Sequence, residues 1–344
     1  MRKFLMGGIA AVALAASASL TQAAGSLSVY HWFEYIPQEL VDKFSKQYDV
    51  KVTVDTYSSN EAMLAALKAG KLGAYDVSVP GDYMVAIMQG EGMLDTFKDG
   101  ELSNKGNIAA AWLDVPFDKG RNSSIPYQIG TTGFMVNRDV FKGDIDTLGV
   151  IFNPPAELKG KINVLDSQGE LLALASLYLG IPQCSSDKEQ LKKLNELLVA
   201  AKPNWASFGS DIAKDVLVSG DAAAGMIYNG FGAKARGENA KLEYAYPKEG
   251  YVLWMDNMVL LKNAPNRDNA IKFMNFLLEP ENAAAVTNYA QYMAGVTGAE
   301  KFYSDVVKNA PELNPPATQK GEFIQACAAD VQVLYDAIWT NLKK

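Results

Sequence analysis

The chain has a single histidine, only two cysteines and no excess of positive charge among its 344 residues. Two Cys and one His cannot supply the four ligands of an ordinary structural zinc site, so no metal or cofactor is expected. A secreted hydrolase finds little support in these residues. His31 has no serine elbow near it, no Gly-x-Ser-x-Gly occurs, and a carboxylate pair would need the separation that glycosidases use. With 32 basic against 39 acidic residues the formal charge is −7, which disfavours nucleic acid and favours small cations. Internal repeats and low-complexity tracts are also missing.

One long uncharged run is present, and it lies at the start. Arg2 and Lys3 precede an apolar and small-residue stretch from Phe4 to Leu20, followed by Thr21-Gln22-Ala23. This is the layout of a cleaved secretory signal peptide over residues 1–23. The apolar part is short and rich in Ala and Ser for a membrane span, and no Cys follows it to carry a lipid. Cleavage removes two basic residues and no acidic ones, taking the charge from −7 to −9. What remains exceeds one ordinary core and suggests two lobes. In the oxidising compartment implied by the leader, Cys184 and Cys327 are either one disulfide or two buried thiols.

The mature chain alternates strand and helix signals. Leu27, Val29 and His31 read as a strand, and Ile36, Leu40, Val41, Phe44 and Tyr48 recur at helical spacing behind Pro37. Val50 to Val54 is a second strand, a helix runs from Asn60 or Glu61 towards Gly70, and Tyr75, Val77 and Val79 form a third strand before another helix. Further on, residues 161–166, 222–229 and 251–261 read as strands, and 171–179, 188–201, 269–278, 281–289 and 323–342 as helices. The proline-rich residues 311–316 read as a surface loop.

In an open α/β sheet a ligand sits beyond the carboxyl ends of the strands. Five such ends carry acids and aromatics: Trp32, Glu34 and Tyr35; Asp82 and Tyr83; Asp166, Ser167 and Glu170; Tyr228 and Asn229; and Trp254 with Asp256, two apart and so on one face. Singly, each is as well explained as a core ring, a solvated loop charge or a helix-dipole partner. His31 reads as a structural residue of its strand. Recurrence at five ends points to a pocket for an organic cation, because carboxylates bond ammonium groups while ring faces attract the charge and cover methylenes.

The segments "VYHWFEYIP", "TYSSNEAMLAALKAG", "AYDVSVPGDYMV", "SIPYQIGTTGFMVN", "GMIYNG", "YPKEGYVLWMDNMVL" and "FMNFLLEPENAA" span nearly the whole mature chain. On these the chain resembles the spermidine/putrescine-binding proteins of bacterial polyamine ABC transporters, within the family 1 extracellular solute-binding proteins. The resemblance implies an α/β, two-lobed periplasmic-binding-protein fold of type II, each lobe a central sheet flanked by helices, with the ligand cleft between them. It implies crossings near residues 130, 256 and 300, giving one lobe of residues 24–130 and 256–300 and another of 131–255 and 301–344. It implies ligand contacts from Trp32, Glu34, Tyr35, Tyr83, Glu170, Trp254, Asp256 and Tyr292, with Gln325 as a polar contact from the last helix, one residue out of register. Gly81, Ser167 and Tyr228 depart from the family pattern. The acid missing at Ser167 removes one ammonium partner, for which Asp82 or Asp166 could compensate. The expected protein is a monomer in the periplasm that hands putrescine or spermidine to an inner-membrane permease. Variants of this reading bind another small amine, or pass the signal to a membrane sensor.

Overall fold

The computed structural model describes residues 25–344, and the leader read at residues 1–23 lies outside them. Its strands are β1 (Gly25–Trp32), β2 (Val50–Tyr57), β3 (Val77–Ser78), β4 (Asp114–Val115), β5 (Asp118–Lys119), β6 (Ser124–Asn137), β7 (Ile162–Val164), β8 (Trp205–Phe208), β9 (Ala224–Tyr228), β10 (Leu242–Ala245), β11 (Tyr251–Leu260) and β12 (Gly321–Phe323). The architecture is mixed α/β, a central sheet flanked by helices. No helix among the described residues is long and apolar enough to cross a membrane.

The first half is built from parallel crossovers. β1 pairs with β2 from Gly25↔Val50 to Trp32↔Tyr57, and with β3 on its other side. The helix Gln38–Tyr48 connects β1 to β2 and buries Leu40, Val41 and Phe44, spaced to fall on one stripe. It stops at Asp49, which takes a left-handed conformation. The second half repeats the parallel theme with β7 between β8 and β9.

β6 and β11 join the halves. They run antiparallel from Ser124↔Val259 to Thr132↔Val252, with a register shift between Asp256 and Asn257. β3 pairs with the far end of β11, and β9 pairs with the far end of β6. Ten strands therefore form one hydrogen-bonded network in the order β2-β1-β3-β11-β6-β9-β7-β8, with β10 on β6 and β12 on β11. Cores lie on either side of this crossing. Leu27, Phe44, Phe273 and Phe276 belong to one, and Phe134, Leu171, Leu174 and Ile227 to another, while a third gathers Tyr30, Met63, Met84 and Met88. Trp254 and Tyr228 pack against both of the first two.

Several elements differ from the sequence reading. The third strand is only Val77–Ser78, and the last helix begins at Ala329, because Gly321–Phe323 is drawn into the sheet against Tyr251–Leu253. The proline-rich 311–316 segment is not all surface. Glu312 is wholly buried and bonds Arg236, with Arg236 Nε 2.5 Å from Glu312 Oε1. Cys184 and Cys327 form a disulfide with Cα atoms 5.2 Å apart.

Candidate functional site

The crossing of β6 and β11 brings together side chains that begin far apart in the chain. Trp254 stands opposite Gly130, where a Cβ would meet the indole at 2.1 Å, so only glycine leaves room for the ring. Two residues on, Asp256 accepts a hydrogen bond of 2.9 Å from the Tyr35 hydroxyl. Tyr35 enters from the turn after β1 and is itself buried.

Two more carboxyls share this space. Asp82 opens the helix Asp82–Gly90 and accepts from the backbone amides of Tyr83 at 2.6 Å and Met255 at 2.9 Å. Burial nevertheless raises it to about 7, with those hydrogen bonds opposing. Glu170 lies in the first turn of the helix Gln168–Leu179, in the other half. Burial raises it to about 8, and the charge of Asp82 adds to the rise, while the Thr132 hydroxyl nearby opposes it without completing a hydrogen bond. Asp256 is raised to about 8, first by burial; the Tyr35 hydroxyl pulls it down, and the charges of Asp82 and Glu170 push it up. Asp256 thus feels both of the other acids, and Glu170 feels Asp82. No lysine or arginine contributes to any of the three shifts.

Rings wall the same space. Tyr292 sits edge-on to Trp254 at 4.9 Å and to Tyr35 at 5.7 Å, and Tyr228 is edge-on to Trp254 at 5.9 Å. Gly230 allows the close approach of Tyr292, since a Cβ there would fall 2.5 Å from the ring. Trp32 packs on Tyr57 at 4.6 Å and donates to Val79 O at 2.8 Å, which anchors it beside the cluster. Tyr83 donates to Glu61 at 2.8 Å and accepts from Asn60 at 3.1 Å, so its ring edge is fixed by the helix Asn60–Ala66.

Two other residues singled out in the sequence stand apart from the acids. Glu34 is exposed in a left-handed turn at φ 50, and its charge acts on Lys234 of the helix Asn229–Glu238. Gln325 is exposed, lies before the last helix, and bonds through its amide to Gln183 at 3.1 Å. With Tyr83 it lines a cleft of about 610 Å³. His31 is a buried strand residue, held neutral by burial that lowers it to about 4 and edge-on to Tyr127 at 5.0 Å.

The structure adds residues that were not read from the sequence. Tyr127, Gln128 and Thr132 of β6 are buried at the crossing, and Tyr127 donates to Tyr35 O at 2.9 Å. Gln128 Oε1, Thr132 Oγ1, Glu170 Oε2 and Trp254 Nε1 are buried without a hydrogen-bond partner. Three of these four can accept. Buried acceptors and three proton-hungry carboxyls suit a ligand rich in N–H donors. Among the described residues no group of three or more His, Cys, Asp or Glu is placed to hold a metal ion. The only local signal for the added residues would have been strand character in 124–137, which Pro126, Gly130 and Gly133 obscure.

Residues 39–315 match the family model described as bacterial extracellular solute-binding protein. A spermidine/putrescine-binding periplasmic protein of Salmonella typhimurium is 35% identical over 347 residues, covering 100% of this chain and 99% of that protein. A putrescine/cadaverine-binding protein of Pseudomonas aeruginosa is 32% identical over 360 residues, covering 100% and 99%. Among solved structures, a putative spermidine/putrescine ABC transporter from Listeria monocytogenes superposes with TM-score 0.85 at 30% identity, covering 92% of this chain and 98% of that one. The chain belongs to the bacterial extracellular solute-binding proteins, a family of solute-capturing proteins and not of enzymes.

Proposed function

We propose that this protein captures a short aliphatic polyamine, putrescine or spermidine, in the cleft at the β6–β11 crossing and delivers it to an ABC permease of the inner membrane. The observation that carries this reading is the convergence of Asp82, Glu170 and Asp256 within walls of Trp254, Tyr228, Tyr35 and Tyr292, with no cationic side chain to neutralise the acids. An elongated dication answers both needs. Its ammonium ends take the carboxyls, which would otherwise stay protonated or repel each other, and its methylenes contribute about 0.8 kcal/mol each when covered by rings. The names of the relatives, which bind spermidine, putrescine or cadaverine, support the same class of ligand.

The proposal extends to the working form. A cleaved leader would deliver the protein to the periplasm, where it acts as a monomer whose lobes close on the amine. Residues 24–130 with 256–300 would form one lobe and 131–255 with 301–344 the other. Tyr303, Val307, Ala310 and Leu313 pack on the same core as Leu27 and Phe44, while Glu312 bonds Arg236 of the 131–255 lobe, so the stretch after residue 300 touches both lobes.

Calorimetric titration with putrescine, spermidine, cadaverine and amino acids tests the function. Saturable binding of one or more of the polyamines is expected. Saturable binding only of an anionic or neutral solute would reject it.

A further inference from the structure

Arg121 is the largest wholly buried side chain among the described residues, and it lies outside the site just described. Its guanidinium donates to Asn257 Oδ1 at 2.6 Å and to Ser124 Oγ at 3.1 Å, its Nη2 lies 2.9 Å from Met255 Sδ, and its Nε donates to Trp112 O at 2.7 Å. The cation also stands 5.4 Å from the centre of the Phe117 ring. Its charge is answered at one remove, since the Ser124 hydroxyl donates a hydrogen bond to Asp118 Oδ2 at 2.6 Å. A buried guanidinium is costly unless its donors are taken, and here they are taken by one small cluster.

Two of these partners, Met255 and Asn257, flank Asp256. Asp256 pairs with Gln128 and Asn257 with Pro126, so the register shift leaves Tyr127 of β6 as the extra residue opposite the Asp256–Asn257 step, and such an irregularity bends the ladder where the acid sits. Asn257 closes it further by donating Nδ2 to Met255 O at 2.8 Å, while its amide donates to Pro80 O at 2.8 Å. Arg121 therefore grips the side chains on both sides of the acid without touching the acid.

We infer that Arg121 is a positioning residue: through Asn257 and Met255 it holds the bulge that aims the Asp256 carboxyl at Tyr35 and into the cleft. The inference rests on the reading of Asp256 as an ammonium partner. Without the guanidinium fork the Met255–Asn257 segment can shift against the bulged β6, which swings the carboxyl away from the cleft. Lysine cannot replace it, because one ammonium lacks the planar fork that reaches Asn257, Ser124 and Trp112 together.

The test is a double-mutant cycle read by calorimetric titration with putrescine and spermidine. Arg121→Met is expected to weaken amine binding about tenfold when Asp256 is present, and by no more than about twofold in the Asp256→Asn background. Asn257→Ala, which breaks the same grip from the strand side, is run through the same cycle and decides the matter should Arg121→Met fail to melt as a folded protein. Equal losses in both backgrounds would mean that Arg121 supports the fold generally, and would overturn the positioning role alone. An Asp256→Asn change without effect on affinity would remove the ammonium partner, and the positioning role with it.

Discussion

At Asp256 a single hydroxyl donor meets burial and the charges of two neighbouring acids. Its partner Tyr35 donates a neutral hydroxyl, so the carboxyl in the amine-free protein is stabilised by one hydrogen bond and opposed by burial and by two nearby acids. Asp256→Asn is expected to weaken polyamine binding at least about tenfold, or 1.4 kcal/mol, as measured by calorimetry. The same electrostatics sets a pH dependence. Asp82, Glu170 and Asp256 are raised to about 7, 8 and 8, so the folded state holds their protons more tightly than the unfolded chain does. For an acid with a raised folded value, the stabilisation is complete below the ordinary carboxylate range and is lost as pH rises through the folded value. The melting temperature of the amine-free protein is expected to fall between about pH 4 and pH 8. Saturating putrescine should reverse the fall, and Asp256→Asn should shrink it. A melting temperature flat across that range in the amine-free protein would contradict the shared burial of these acids. At this scale the sequence was informative about kind: an acid and an aromatic at successive strand ends already suggested a cationic guest. It was silent on Gln128 and Thr132, because a polar residue inside a buried strand carries no local mark of its surroundings.

Among elements, β6 contributes most to the crossing where the buried acids and rings meet, and its sequence hides its strand character. Its 14 residues are nearly all buried, yet Pro126, Gly130 and Gly133 interrupt any strand pattern. The tertiary structure supplies the reasons for two of them. Gly130 leaves space for the Trp254 indole, and Gly133 for the Tyr244 ring, whose hydroxyl would lie 2.7 Å from a Cβ. Gly130→Ala is expected to push Trp254 out of place, lowering stability by about 1–3 kcal/mol in denaturant unfolding and weakening amine binding as well. Unchanged unfolding and binding would show that the indole can move aside freely. β1 and the helix Gln38–Tyr48 were legible for the opposite reason, since their inward residues follow the period of the element itself. Phe323, the last residue of β12, reads locally as the start of a helix because its strand character comes only from pairing with Leu253.

For the whole molecule, the Cys184–Cys327 bridge spans a sequence separation of 143 and ties the segment after the helix Gln168–Leu179 to the one before the last helix. Closing so long a loop restrains the unfolded chain, and its loss typically costs about 2–5 kcal/mol. Replacing both cysteines by serine is expected to lower the melting temperature by several degrees while retaining amine binding, because neither sulfur contacts Asp82, Glu170 or Asp256. Loss of binding in a folded serine variant would place the bridge in control of the cleft. The acidic balance follows from composition, and the alternation of helix and strand and the chemical types waiting at the strand ends follow from short windows of the amino-acid order. The fold is what brings the charges of Asp82 and Glu170 to bear on Asp256 among the rings, and what joins the two cysteines. Those outcomes depend on the β6–β11 crossing and on burial, where the field at each carboxyl comes from residues distant in the chain and short-range pattern has nothing to report.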